Sequence, residues 1–427
     1  MRQELFLKLI AFTFLVTILV ILNNNLIDEK LSLFANLPNP ESRLDIGAET
    51  TRIAETLAEL DEINRKLDLL NDEELEGRDC SSSSASSQTA HFSSEETDYD
   101  PNGITSELNT VKYACCYRDV NNPVEGIGRP FPLTPKVANV LDAYMSSKTI
   151  THHEKKDHLL PQPVTAFSNN HYSEHMKQIE SAYKIFGANP SKNFTAKPII
   201  VYDLGMDPYQ IEYVKNNKML IYRTLDFSKY PEHVELLTTY SWKTIIWAEM
   251  LKEFPAIVWF DTSIHFTARD RITVRKMIQK YVINRKTSFL YYVHPAGHSI
   301  SWATNSDMFG YIPAVIRNMN EASNVTMPQA NGVMMWNTQE FKHGVMKWGL
   351  LCALTKHCIA PPGAWLAPAK LNKFCPKGRE TKKQNHVCHR YDQSLFSILL
   401  RNHYQYNDLG YQIQNEEEFL GIPERLG

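Results

Sequence analysis

Ile257-Val258-Trp259-Phe260-Asp261-Thr262-Ser263 is an apolar run that ends abruptly in a carboxylate and two hydroxyls. Buried central strands of parallel α/β sheets read as continuous apolar runs. Ligands of such sheets bind just beyond the carboxyl ends of the strands. Asp261 is therefore expected at the mouth of a site, on a rigid strand end. Two stretches further along give it company. Asn331-Gly332-Val333-Met334-Met335-Trp336-Asn337 reads as a second strand with a polar entrance, and Tyr391-Asp392-Gln393-Ser394 opens an apolar-periodic helix.

Around this stretch, strand and helix patterns alternate. Strands are predicted over 164–167, 198–204, 219–224, 257–260, 288–293 and 332–336. Helices are predicted over 174–186, 208–216, 238–254, 271–281, 338–354 and 392–402. Strands separated by helices imply an α/β fold with a mainly parallel sheet. The stretch 113–162 holds Gly126, Gly128, Pro130, Pro132 and Pro135 and reads as a turn-rich preface to a domain over 163–427.

The 427 residues leave room for one large domain and appendages. A net charge of −3 gives no electrostatic footprint for nucleic acid. Residues 5–22 are apolar apart from Lys8, Thr13 and Thr17. Such a run spans about 27 Å as a helix, enough for a thin bilayer. No small-residue cleavage site follows it, which favours an uncleaved signal anchor, with a short cytoplasmic tail over 1–4, above a signal peptide. Residues 23–112 then form a stem. Within it, 46–70 has heptad-spaced apolar residues and reads either as a short coiled coil, which would make a homodimer through the stem, or as an isolated amphipathic helix. The serine-rich, acidic stretch 80–100 cannot bury enough apolar surface to order itself.

A lumenal body gives meaning to the sequons at Asn193 and Asn324, expected glycosylation sites. It also makes the seven cysteines disulfide candidates. Cys352 with Cys358 and Cys375 with Cys388 are the locally cheap pairings, and the odd count leaves one thiol over.

In order, Asp261-Thr262-Ser263, Asn331-Gly332 and His389-Arg390-Tyr391-Asp392-Gln393 resemble the core motifs of nucleotide-sugar glycosyltransferases of the GT-A fold. The segment 163–411, with Tyr113-Ala114-Cys115-Cys116-Tyr117-Arg118 upstream, also resembles an uncharacterised animal family. That family is a domain of unknown function related to nucleotide-diphospho-sugar transferases. Val164-Thr165-Ala166-Phe167-Ser168 and Tyr202-Asp203-Leu204-Gly205 carry this likeness. The resemblance implies a Rossmann-like GT-A domain behind an anchor, in the Golgi or endoplasmic reticulum membrane. It implies transfer of a sugar from a nucleotide-sugar donor to a glycan, glycoprotein or glycolipid acceptor. Asp261 would hold the diphosphate with Ser263 assisting, Asp203 and Thr165 would line the nucleotide pocket, and Asn331, Asp392 and Gln393 would face the transferred sugar. The alternative is a degenerate, non-catalytic relative that binds glycans or partner proteins.

The chain departs from the pattern at one point. Mn²⁺ or Mg²⁺ sites on diphosphates use paired carboxylates, and here Ser263 stands where the second would be, leaving Asp261 as the single candidate metal ligand. Side chains two apart on a strand share a face, so Asp261 and Ser263 converge if the strand persists that far. His294 or His298 could supply the missing ligand. Trp242, Trp247 and Trp259 are expected between sheet and helix, whereas Trp302 and Trp365, in Gly/Pro-rich loops, are candidates to stack on a sugar.

Overall fold

The computed structural model describes residues 112–118, 126–155, 158–186, 197–266, 271–296, 298–315, 319, 326–361, 388–413 and 421–423. All belong to one unit, Arg78–Gly427. The anchor over 5–22, the stem stretches 46–70 and 80–100, both sequons, Cys375 and Trp365 lie outside the described residues. Among the described residues no helix is long and apolar enough to cross a membrane.

The stretch 113–162 departs from the turn-rich preface expected of it. Strands β1 (Lys112–Arg118) and β2 (Ile127–Leu133) pair as an antiparallel hairpin. Pro130 and Pro132 sit inside β2, where prolines are tolerated because a two-stranded ribbon leaves its outer N–H positions unpaired. Helix α1 (Pro135–Met145) follows, with Pro135 in its first turn and the Thr134 hydroxyl accepting from Val137 N at 3.3 Å.

The sheet is built from β3 (Gln162–Phe167), β4 (Ile199–Asp203), β5 (Leu220–Thr224), β6 (Ala256–Phe260), β8 (Phe289–Tyr291) and β9 (Gly332–Trp336), in the order β5-β4-β3-β6-β9-β8. A short β7 (Ile264–Phe266) leaves this sheet and pairs with β10 (Gly421–Pro423). Between strands run α2 (Tyr172–Phe186), α3 (Pro208–Asn216), α4 (Ser241–Glu253) and α5 (Arg271–Met277), the last continued by a π-helical stretch, Ile278–Asn284.

The sheet is mixed. β3, β4, β5 and β6 run parallel, but β9 is antiparallel to both β6 and β8. The reversal decides which residues share an edge of the sheet. Because β9 runs backward, its entrance pairs with the exit of β6, Gly332 opposite Phe260. In a parallel β9, Asn331 would lie at the far edge from Asp261. Gly332 is required by close approach, since a Cβ there would meet Val293 Cγ1 at 2.5 Å.

Alternate side chains of β6 enter two cores. Ile257 and Trp259 face the layer of α1, α4 and the late helices, while Ala256, Val258 and Phe260 face the layer of α2, α3 and α5. This gives helix, sheet and helix layers. Trp242 and Trp247 pack against Trp259 at ring distances of 6.2 and 6.1 Å, between α4 and the sheet as expected. Beyond β9 come α6 (Gln339–Phe341), a π-helical stretch Lys342–Met346, α7 (Lys347–Ala353) and, later, α8 (Tyr391–His403). Cys352 and Cys358 form a disulfide. Cys388 is disulfide-bonded as well, while Cys375, its expected partner, is undescribed.

Candidate functional site

Asp261 immediately follows β6, and the chain turns at once. Ile264 N bonds back to Asp261 O at 3.1 Å, closing a turn over 261–264. The strand does not persist to Ser263, so the condition for Asp261 and Ser263 to share a strand face is not met. The Asp261 side chain keeps the orientation of Ile257 and Trp259, toward the α4 layer. Trp259 Nε1 donates to Asp261 Oδ1 at 2.7 Å, as residues two apart on a strand can.

What Asp261 meets there is Lys243. This lysine lies in the first turns of α4, a helix buried on nearly all sides, and is itself only 2% exposed. Its Nζ sits 3.0 Å from Asp261 Oδ1, 3.1 Å from Asp261 Oδ2, 3.3 Å from the Ala330 carbonyl and 3.0 Å from Asp392 Oδ2. One ammonium thus joins the carboxylate after β6, the carboxylate opening α8 and the backbone before β9. Burial alone would lower its pKa, but the two carboxylates outweigh burial and hold it above the ordinary lysine range. Asp392, 5% exposed, is pushed above the carboxylate range first by burial and then by the Asp261 charge, against the pull of Lys243.

Asn331 completes the cluster through its backbone. Asp261 N donates to Asn331 O at 2.8 Å. The Asn331 side chain donates through Nδ2 to Gln329 Oε1 at 3.2 Å, while its buried Oδ1 has no hydrogen-bond partner among the described residues. Gln393 Nε2 donates to Pro328 O at 2.8 Å, tying α8 to the same loop. Asp261, Asn331, Asp392 and Gln393 are therefore gathered at one sheet edge. Ser263 occupies the turn beyond.

Thr165 and Asp203 do different work. Thr165 is fully buried and donates to Phe260 O at 2.7 Å, bracing the end of β6 from β3. Asp203 ends β4, two strands from β6 and hence about 10 Å away at usual strand spacing. Its Oδ1 accepts from Gly205 N and Met206 N at 2.8 and 2.7 Å, and its Oδ2 from Tyr222 OH at 2.8 Å. Gly205 has φ +110°, a conformation glycine adopts without penalty. Asp203 thus shapes the loop beyond β4. On α3, which follows that loop, Tyr209 and Tyr213 expose 62% and 47% of their surface and face Tyr172 edge-on.

Two strained tyrosines rim the cluster. Tyr240, preceding α4, has φ +55°, and Tyr391, the first residue of α8, has φ +46°. Left-handed conformations of bulky residues cost of order 1–3 kcal/mol and collect at functional sites. The rings lie 5.6 Å apart, and Lys243 Nζ is 5.7 Å from the Tyr240 ring centre. By contrast Trp302, expected to meet sugar, is 3% exposed and packed in the core beside His298. Its place in a Gly/Pro-rich loop misled, because that loop folds under the surface.

Lys243 was the residue the sequence concealed. A lone lysine in a helical pattern reads as a solvated face. The available signal was its setting, Trp242-Lys243-Thr244-Ile245-Ile246-Trp247, which is too apolar around the helix for any face to be solvated. Among the described residues no group of three or more His, Cys, Asp or Glu side chains is arranged to hold a metal, so neither His294 nor His298 completes such a site with Asp261.

Residues 104–248 match the family model described as a protein of unknown function, DUF1647. The match includes Thr165, Asp203 and Lys243 and ends before Asp261, so the likeness expected across 163–411 is matched only to residue 248. No curated protein matches the chain. Among solved structures, the chain is similar to mouse xyloside xylosyltransferase 1 at 8% identity, covering 62% of this chain and 98% of that one, with a TM-score of 0.35. It is similar to the galactosyltransferase LgtC with donor and acceptor sugar analogs at 9% identity, covering 62% and 86%, with a TM-score of 0.28. It is also similar to the mannosyltransferase Ktr4p of S. cerevisiae with GDP at 8% identity, covering 61% and 75%, with a TM-score of 0.31.

Proposed function

We propose that this chain transfers a sugar from a nucleotide-sugar donor to a hydroxyl of a glycan, glycoprotein or glycolipid. One observation carries the proposal. Asp261, Asn331 and Asp392 are far apart in sequence, and they are the residues through which the chain resembles GT-A enzymes. Asp261 and Asp392 meet around one buried ammonium, with Asn331 O bonded to Asp261 N, at the carboxyl edge of the sheet, where α/β folds bind ligands.

The chemistry suits the arrangement. Transfer breaks the bond from the anomeric carbon to a diphosphate oxygen and forms one to the acceptor oxygen, and negative charge grows on the leaving diphosphate. Lys243 offsets part of the carboxylate charge, and the N-terminal ends of α4 and α8 add positive potential where that charge develops. Asn331 Oδ1, an acceptor without a partner among the described residues, suits a sugar hydroxyl. The loop shaped by Asp203, with Tyr209 and Tyr213 exposed on the α3 that follows, suits a stacked base, and Thr165 supports the nucleotide half from beneath. Asp392 and Gln393 stand at the sugar side. The apolar run over 5–22, the sequons and the Cys352–Cys358 disulfide support a secretory-pathway setting with a lumenal domain.

The test is calorimetry against a panel of UDP- and GDP-sugars. Saturable binding to one nucleotide class, lost in Asp261→Asn, supports the proposal, and silence across the panel defeats it. Silence would favour the non-catalytic binder, whose supporting observation is that Lys243 already pairs with both carboxylates without any ligand.

A further inference from the structure

GT-A-type diphosphate chemistry uses a divalent cation held by carboxylates, and the residues here do not fit one. The oxygens that would form its coordination sphere are both oxygens of Asp261, one of Asp392 and the Ala330 carbonyl, and all four surround Lys243 Nζ at 3.0–3.3 Å. Asp261 Oδ1 additionally accepts from Trp259 Nε1. A hard cation needs several oxygens at about 2.0–2.6 Å with lone pairs to spare. Here the lone pairs face a positive charge already in place, and a divalent ion would have to settle against it.

We infer that Lys243 is the built-in cation of this site, standing where a divalent metal would stand between Asp261 and Asp392, so that the site takes a diphosphate without metal. The function as diphosphate site rests on the transferase proposal, whereas the exchange of ammonium for metal rests on geometry alone. Three features make Lys243 more than a structural ion pair. It is held by groups from three separate segments. It lies beside the partly open carboxylate of the cluster, Asp261, whose side chain is 29% exposed. It also lies near the ring of Tyr240, which is exposed and strained.

The experiment exchanges one cation for the other. Mn²⁺ binding is measured by electron paramagnetic resonance on the wild type, Lys243→Ala, and Lys243→Ala with Asp261→Asn, all without nucleotide. The expected result is no Mn²⁺ site dependent on Asp261 in the wild type. Lys243→Ala should gain affinity on the order of tenfold or more, since ligand charge sets affinity for hard cations, and the double variant should lose it. A folded Lys243→Ala that gains nothing overturns the inference, as does wild-type Mn²⁺ uptake that Asp261→Asn abolishes. Should Lys243→Ala fail to fold, wild type against Asp261→Asn still decides. Uptake lost in Asp261→Asn refutes the inference, and equal, weak uptake supports it. The readout is separate from the transferase proposal. A wild type that binds no nucleotide sugar defeats that proposal and leaves the Mn²⁺ comparison intact. Where UDP or GDP does bind, its affinity should be the same in EDTA and in Mn²⁺, and a requirement for Mn²⁺ would refute the inference.

Discussion

Lys243 and Lys342 are equally buried, each 2% exposed, at opposite edges of the same sheet, and each Nζ lies 5.7 Å from a tyrosine ring centre, but their hydrogen-bonding partners differ in charge. Lys342 lies in the π-helical stretch after β9 and donates to the carbonyls of Met145, at 3.0 Å, and Ser147, at the end of α1. A cation there satisfies the last carbonyls of a helix. Beside it, Asn337 accepts from Tyr144 OH and donates to Lys148 O and Leu251 O. This edge is a closed staple of neutral partners, and desolvation lowers the Lys342 pKa. Around Lys243 the partners are two carboxylates, and they reverse the sign of the shift. The lesson is that burial of a charge says little alone. The identity of the partners separates a staple from a site.

Paired substitutions should separate the two lysines by the largest margin. Lys243→Met leaves two carboxylates side by side without a counterion, and removing one partner of a buried ion pair costs roughly 3–5 kcal/mol. Lys342→Met leaves two carbonyls short of a donor, worth about 1–3 kcal/mol. Urea denaturation of both variants should reproduce that order, and a reversed order would mean that the Lys243 cluster is loosely held.

Acid sharpens the contrast from another side. His389 adjoins α8, accepts at Nδ1 from Asn305 N, contacts Ile359 O through Nε2, and is lowered by burial to about 4. His233, buried against Ala353 O, is also lowered to about 4. Both histidines are neutral when folded and have depressed values, so their contribution is complete above about 6.5 and lost as pH falls toward 4. The loss is on the order of 2–3 kcal/mol for each. The melting temperature should fall steeply between pH 6.5 and 4, and less steeply in His389→Gln. A flat profile would contradict the neutral, hydrogen-bonded His389.

Smaller effects are expected away from either lysine. Replacing Cys352 and Cys358 with serine opens a cross-link of sequence separation 6, worth about 2 kcal/mol, with no change in donor affinity. Tyr222→Phe removes one of the three hydrogen bonds to Asp203, worth about 1 kcal/mol. If the Asp203 loop holds the base, this variant weakens nucleotide binding slightly, and an unchanged isotherm would move the base elsewhere.

Much of this was legible in the chain. The apolar run into Asp261 marked β6 and the carboxylate at its end, and the alternation of patterns marked most of the sheet. The reversed direction of β9 was not legible, because a buried strand reads the same in both directions and only pairing reveals it. The hairpin at 112–133 was hidden by Pro130 and Pro132, which signal turns locally but are tolerated in a two-stranded ribbon. Lys243 escaped because ion pairing across 149 positions to Asp392 leaves no local pattern. Trp302 misled because loop composition predicts exposure only on average.

Whether Lys243 serves the donor is read from donor-binding isotherms of the wild type, Lys243→Met and Lys342→Met, measured with the UDP- or GDP-sugar that the wild type binds. Lys342→Met is expected to bind like the wild type while Lys243→Met loses saturable binding, with both variants folded by circular dichroism at the measuring temperature. Equal affinity in Lys243→Met and the wild type would contradict it, because the ammonium between Asp261 and Asp392 would then be a second staple.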